Sequence, residues 1–455
     1  MKLKLLTLAL GLATAGAVMA APAQAGNNSV QQAGNNMGVT IGTYAPYTWQ
    51  MMSNYSPVGR EMYILKNRQS GHLANHALYF GGYAKANAML QIASKKPGAF
   101  VNPAFFASNN TGARNLSNIQ LTDISLLMTA DINQWTTVYM QLGDGLIGGP
   151  ATADATVNGD VRTANIANNR VQFQQGYVLM GDLSQKPVYG FIGKKDIDFG
   201  YFGSVNMFAQ PLNRELFAAV GNTVGVGYMQ HGLDVVLSAM NGGTNGTNLY
   251  TSNSGAISNF AVNASYGNQM KGVDWRVGAG YLNGINGEFA RTYTTTTTTG
   301  GTVDVPGKSN GAWDINGQLA FDNFDILGEY TSSTNKSAQS LDSNKTVKAW
   351  NIGMAYNFPF MGRKSKVSFS YSQAQGINPT FGKSKSQNYA QYVVGFRNEF
   401  MPNVWGGVSY AYNNGVLISL PNGGQGDAAK PMNNMLIGNS DVDNNTILLD
   451  LTAAF

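Results

Sequence analysis

The chain contains three histidines, His72, His76 and His231, and no cysteine. These residue types carry most acid–base, nucleophilic and metal chemistry, so their spacing is decisive. His72 and His76 stand four apart, which on a helix would put two imidazoles on one face as metal ligands. No carboxylate lies close to them and a strand pattern begins at residue 77, so they read as a surface pair. His231 sits in the short link Gln230-His231-Gly232. A barrel hydrolase would need a histidine beside a serine or a carboxylate. His231 with Asp234 is the candidate pair, and it falls at the periplasmic end expected for that link. Gly225-Val226-Gly227 lies inside a strand with no helix after it, so it is no phosphate loop. Without cysteine there are no disulfides, thiolate metal sites or lipoprotein processing. The reading is a protein that is not an enzyme and takes no metal and no cofactor.

The remaining chemistry-bearing groups are few. Charged residues make up 12% of 455 positions, where a soluble protein carries about a quarter. Glycine is abundant, at 55 residues, and Tyr and Phe number 22 and 21. Past residue 20 no apolar run reaches the roughly 18 residues a spanning helix needs. Such a chain suits strands with one apolar and one polar face.

Lys2 and Lys4 followed by an apolar stretch over residues 5–19 and small residues form a secretory signal peptide over 1–25, with cleavage expected after Ala20 or Ala25. Its removal leaves 27 basic against 24 acidic residues, a net charge of +3. That mild balance argues against nucleic acid as a partner. Residues 26–74 form a periplasmic N-terminal extension or a short plug, polar over 26–36 and with a short helix after Pro57. Residues 75–455 form the main domain.

From residue 77 the pattern has period two. Leu78, Phe80, Ala84, Ala86, Ala88 and Leu90 oppose Tyr79, Tyr83, Lys85 and Asn87 over a length well beyond the five or six residues of a globular strand. Ile124, Leu126, Met128 and Ala130 oppose Asp123, Ser125 and Thr129, and Ile447, Leu449 and Leu451 oppose Thr446, Asp450 and Thr452. With weaker candidates the chain yields about 16 strands (14–18). Short links near 133, 184, 232, 269, 323, 362 and 402 alternate with eight long ones. A chain in hydrocarbon must pair all its backbone groups internally, so these strands must close. The fold class is all-β, a transmembrane antiparallel β-barrel of the outer membrane. Trp135, Trp275, Tyr281, Trp313, Tyr356 and Trp405 fall near strand ends, as interfacial girdles require. The strand charges Lys85, Asp123, Asp274, Arg276, Asp314, Glu329 and Asp450 share the polar faces.

A sixteen-stranded barrel encloses an aqueous lumen. The pore-lining candidates are Lys85, Asp123, Arg170, Lys194, Lys195, Arg276, Asp314 and Glu329, while Asp196 and Asp198 lead into the third long loop. That loop, 201–215 (YFGSVNMFAQPLNRE), is the expected constriction, through Tyr201, Phe202, Asn206, Phe208, Gln210, Asn213 and Arg214. Rings of charge and an infolded loop set selectivity in such pores. The alternative for each charged residue is plain solvation of the lumen.

Three stretches carry resemblances. The ending NTILLDLTAAF (445–455) resembles the assembly signal read by the barrel-assembly machinery of outer membranes. The stretch 176–202 (GYVLMGDLSQKPVYGFIGKKDIDFGYF) is similar to a hairpin common in porins. WQMMSNYSPVGREMYILKNRQSGHL (49–73), leading into the first strand, resembles the LbtU-type siderophore porins of gammaproteobacteria with an intracellular lifestyle. The resemblance implies a roughly sixteen-stranded barrel that takes up ferric siderophore or serves as a general porin. The expected partners are outer-membrane lipid and lipopolysaccharide, small solutes or a siderophore, and two further copies in a homotrimer. The expected location is the outer membrane of a Gram-negative cell. The competing function is a structural or adhesive surface protein with a closed lumen.

Overall fold

A computed structural model describes residues 40–52, 58–93, 115–144, 172–206, 210–218, 220–241, 257–284, 293–296, 302–305, 311–335, 346–377, 387–414 and 443–455. The signal-peptide segment, Arg170 and Phe208 lie outside these residues.

The chain begins with β1 (Thr40–Thr43), α1 (Ala45–Met51) and α2 (Arg60–Gln69). The wall follows with β2 (Ala77–Ala93), β3 (Asn115–Asp131), β4 (Thr136–Asp144), β5 (Gln172–Gly181) and β6 (Val188–Asp196). After α3 (Leu212–Phe217) come β7 (Val220–Gln230), β8 (Leu233–Asn241), β9 (Ile257–Met270) and β10 (Val273–Leu282). A small hairpin, β11 (Tyr293–Thr296) and β12 (Thr302–Val305), precedes β13 (Ala312–Phe321), β14 (Phe324–Ser333) and β15 (Lys348–Phe360). β16 (Arg363–Ile377), β17 (Gln387–Met401), β18 (Val404–Asn414) and β19 (Asn444–Ala454) complete the wall.

Each wall strand pairs antiparallel with its neighbours, β10 with β13, and β19 with β2, so sixteen strands close into a ring. β1 is the extra strand. It runs parallel to β2 against Ala77–Phe80, the part of β2 that β19 stops short of, since β19 ends opposite Tyr83. An open sheet edge is thereby paired.

Links alternate short and long around the ring, giving a turn end and a loop end. His231-Gly232, Lys271-Gly272 and Met361-Gly362 each place both residues at positive φ (50° and 84°, 50° and 82°, 51° and 71°). Those are the dihedrals of type I′ hairpins, whose twist matches the strands, with glycine taking the more demanding second position. All sixteen expected strands occur; the link expected near Gln269 falls at Lys271-Gly272, and β3 starts at Asn115, seven residues before the alternation placed it.

The outer surface follows from period two. In β7, Val224, Val226 and Tyr228 are exposed while Gly225, Gly227 and Met229 are buried. Gly225 and Gly227 face the lumen, and a β-carbon there would collide with the rings of Phe191 and Tyr189 on β6. The sequence Val-Gly-Val-Gly thus gives aliphatic side chains to lipid and room for aromatic rings inside. Two rows of ring contacts encircle part of the outside. Phe324–Tyr356 (4.8 Å) and Phe358–Phe396 (6.4 Å) lie toward the turn end, and Trp350–Tyr371 (4.8 Å) and Tyr371–Tyr392 (4.5 Å) toward the loop end. Along β15 the rows are six to eight residues apart, roughly 20–26 Å along the strand at 3.3 Å per residue. Trp405 departs from expectation. Its alternation partners Val408 and Tyr410 are exposed, so Trp405 points inward, where Trp49 packs on it at 6.5 Å and Arg397 lies over its ring at 5.9 Å. An indole beside a guanidinium gains a cation–π contact that lipid could not offer.

Candidate functional site

Two segments occupy the lumen. The first is residues 40–73. α2 is preceded by Gly59 in the left-handed conformation (φ 79°) and carries Glu61 in its first turn and Lys66 and Arg68 in its last. This charge order suits the helix dipole. Arg60, Glu61, Met62, Ile64, Leu65 and Asn67 are all buried. The apolar ones join Tyr47, Met51 and Met52 in one cluster with the wall residues Tyr83, Tyr139, Tyr177 and Tyr189. Asn67 Nδ2 donates to Gln50 Oε1 at 2.7 Å, tying α2 to α1.

Polar contacts clamp this segment along its length. At the turn end Arg68 donates to the carbonyls of Asn133, Gln134 and Gly181 and pairs with Asp131 at 3.4 Å. Two residues further into β3 the Tyr47 hydroxyl meets Thr129 Oγ1 at 2.8 Å. At the upper end of α2, Arg60 Nη1 donates to Gln141 Oε1 at 2.6 Å and Nε lies 3.7 Å from Asp196. Burial works against the Arg60 charge, but Asp196 together with Tyr139, Tyr83 and Tyr177 outweighs it and holds the guanidinium above its ordinary pKa. Thr48 Oγ1 donates to the main-chain oxygen of Phe455 at 2.7 Å, beside Gly81, where a β-carbon would displace the hydroxyl.

The second segment, here called loop 3, comprises residues 197–206 and 210–218. It folds inward from the loop end. Phe199, Phe202, Leu212, Leu216 and Phe217 form a cluster with Met240, Leu282, Ala349 and Ala374 of the wall. Its main anchor is one carboxylate. Glu329 on β14 accepts from the backbone N–H of Tyr201 (2.7 Å) and Phe202 (3.0 Å) and from Asn213 Nδ2 (2.7 Å). Further round, Asn206 bridges Ser368 and Ser370 of β16 at 2.6 Å each.

The two segments meet at Lys195. Its ammonium lies 3.2 Å from Glu61 Oε2 of α2 and 2.5 Å from Asp198 Oδ1 of loop 3, with all three side chains buried. Burial pushes the Asp198 carboxyl well above its ordinary pKa, with Lys195 opposing and Glu61 adding to the rise. Beside this junction a narrow cleft, with about 10 Å³ of space open to water, separates Gly59 and Glu61 from Gly200 and Tyr201, and Asp234, Asn263 and Arg276 form its wall.

Lys85, Asp123, Lys195, Arg276, Asp314 and Glu329 all face inward. Lys85 and Asp123, direct cross-strand partners, form a buried ion pair at 3.1 Å. Asp314 accepts from Thr331 Oγ1 and Asn316 Nδ2. Lys85 and Asp123 pair within the wall, Asp314 neighbours Glu329 and holds Asn316 at the cleft, and Lys195, Arg276 and Glu329 serve the infolded segments or the cleft. Lys194 does not face the lumen. It alternates with Val188 and Ile192, both exposed, and its ammonium reaches the Phe173 carbonyl at 2.9 Å on the outer side. Strand alternation forces one of two adjacent lysines outward. Of the loop candidates, Phe202, Asn206, Gln210, Asn213 and Arg214 are buried and Tyr201 is half-buried at the cleft. His231 and Asp234 do not pair: Asp234 accepts from the Tyr189 hydroxyl at 3.0 Å. His72 and His76 are exposed, and His72 stacks on Tyr44.

The ring is that of known outer-membrane barrels. OprB of Pseudomonas putida superposes with a TM-score of 0.50 at 12% identity, over 82% of this chain and 94% of that one. The likeness is one of fold. The outer membrane channel DcaP of Acinetobacter baumannii gives 0.47 at 12% identity, over 83% and 97%. In sequence, the UPF0422 protein lpl2888 of Legionella pneumophila (strain Lens) is 21% identical over 290 residues, 62% of this chain and 50% of that protein. The chain therefore spans about half the length of the curated relative it matches. No protein-family model matches the sequence.

Sequence reasoning missed Arg60 and Glu61, whose signal was an adjacent opposite-charge pair after a glycine in a charge-poor chain. It also passed over Asn263, which nothing in the alternation distinguishes from other lumen amides.

Proposed function

We propose that this chain is an outer-membrane porin for small hydrophilic solutes, with residues 40–73 as an internal plug and loop 3 as the constriction. The carrying observation is the cleft between the two, bordered by Glu61, Tyr201, Asp234 and Arg276, in a ring whose outside is apolar and whose inside is polar. Solutes would diffuse past this cleft, selected by its width and charge. The short-turn end faces the periplasm in this reading and the long loops face outward. Purified protein in a planar bilayer should conduct ions in discrete steps, and a silent protein overturns the channel reading.

The Lys195 junction favours one rival. Because α2 and loop 3 are ion-paired to each other inside the lumen, a closed barrel with a structural or adhesive role is the alternative, and the same bilayer recording separates the two. Ferric-siderophore uptake, the finer reading implied by the resemblance of residues 49–73, predicts slower growth on siderophore-bound iron when the gene is deleted. The plug segment is far smaller than the plug of more than a hundred residues that an energised receptor carries, so such uptake would run without that coupling. Signal-peptide removal predicts a mature chain starting at residue 21 or 26 by mass. Cross-linking in native membranes tests the homotrimer.

A further inference from the structure

We propose that the half of the ring formed by β19 and β2–β8 is the face on which copies of this chain meet, and that the plug segment backs this half from inside. This rests on the outer-membrane reading above and gives its homotrimer a contact surface. The outside of the ring divides in two. Each of the eight strands β9, β10 and β13–β18 carries at least two outward-facing aromatic rings, whose contacts run from Phe260–Tyr281 and Tyr266–Trp275 round to Tyr392–Tyr412. On the strands β19 and β2–β8, among the described residues, the outward rings are Phe80, Phe173 and Tyr228 alone. Aliphatic and small side chains take their place, as with Ala84, Ala86 and Ala88 of β2 and Val138 and Met140 of β4. A wall that meets lipid carries aromatic girdles at both edges of its apolar band. One half of this ring is built that way and the other is not. Phe173 fits the bare half: its ring folds over Gly176, where a β-carbon would collide with it, which keeps the face smooth.

Size and symmetry point to further copies as the occupant. Eight strands at about 4.8 Å spacing across an apolar band of about 25 Å give roughly 950 Å² of wall, above the ~800 Å² that a stable interface takes from each partner. Two cylinders touch along a narrow strip, whereas three packed around one axis each turn a broad arc inward, as a closed symmetric assembly requires. A smooth aliphatic wall is also what such a wall packs against best.

The inside matches the outside. The plug's apolar cluster takes residues from β19 and from every one of β2–β8, among them Leu448, Tyr83, Leu127, Phe191, Met229 and Val236. Loop 3's cluster draws instead on Met240 of β8 and on β9, β10, β13, β15 and β16. The bare half is therefore packed against the plug on its inner face and against neighbours on its outer face, while the girdled half stands between loop 3 and lipid. Close-packed layers transmit strain, so the plug fixes the wall shape on which the neighbours dock.

The test places a photoreactive benzophenone side chain at Leu126 of β3 or at Met354 of β15, both outward-facing, in the full-length protein in its membrane. Illumination should give dimers and trimers of this chain from Leu126 and none from Met354. Self-cross-links from Met354 alone put the contact on the girdled half, which overturns this surface and leaves the homotrimer standing. Capture of a different protein from Leu126 overturns the choice of occupant. A chain that stays monomeric on unheated gels and by native mass ends both the homotrimer and this surface. The backing role is read from a matched pair of fully buried residues, Ile64 in the plug cluster and Leu216 in the loop 3 cluster. Ile64→Ala should let the trimer fall apart into folded monomers at a temperature several degrees lower, while Leu216→Ala leaves that temperature unchanged. Equal shifts in the two variants, or none in Ile64→Ala, refute the backing.

Discussion

The plug segment and loop 3 share one lumen but are held by opposite means. The described residues of 40–73 are clamped at separate points along the wall, by Arg68 and Tyr47 toward the turns and by Arg60 and Glu61 higher up. Loop 3 gathers three of its donors on Glu329, two backbone N–H groups and one side-chain amide, with Asn206 on Ser368 and Ser370 and Asp198 on Lys195 as lesser holds. Evenly spread anchorage tolerates the loss of any one contact, whereas a carboxylate that gathers three donors makes its own loss the costliest. The lesson is that a lumen segment's robustness is read from how its contacts are spread.

The comparison can be broken most forcefully at Glu329. Its replacement by alanine leaves three donors without their acceptor, at about 1–3 kcal/mol each, so loop 3 should become protease-sensitive and the single-channel current noisy. An intact, protease-resistant loop in that variant would show that Asn206 and Asp198 hold it without Glu329. Arg60→Ala removes the hydrogen bond to Gln141 and the ion pair to Asp196, which keeps Gln175 as a donor at 2.6 Å, and should cost roughly 1–3 kcal/mol of stability, read as a lower thermal midpoint. Yet α2 should stay docked, and cleavage within 60–69 in this variant would show that the clamps are not independent. Thr48→Val removes one hydrogen bond to Phe455 and should cost about 1 kcal/mol, measurable by denaturant titration. Lys194→Ala sharpens the inside–outside assignment, since stability should stay within about 0.5 kcal/mol with ion selectivity unchanged. A shift in reversal potential there would place Lys194 in the pathway after all.

Much of the barrel was legible because its two faces meet different solvents, and period two records that difference directly in β7 and β10. Turns such as Lys271-Gly272 and Met361-Gly362 were legible because glycine marks the second position of a tight hairpin. The lumen contents were harder to read. α2 is buried on several faces at once, so Arg60, Glu61, Ile64 and Leu65 leave no one-sided stripe. Trp405 was misplaced because β18 carries aromatics on both faces, and only the contact with Trp49 separates them. Lys194 and Lys195 are adjacent, and composition gives no sign of which one the pleat turns inward. Loop 3 was legible from its position and amide content, but its hold on Glu329 spans more than a hundred residues of sequence and leaves no local trace.

The grip of Thr48 on Phe455 joins residues 407 positions apart, and β1 borrows the stretch of β2 beyond the end of β19. The Thr48 mooring exists only once β19 has reached β2, whereas β1 needs β2 alone. The last wall strand is thus also a latch: the step that closes the ring is the one that fastens the opening helices inside it.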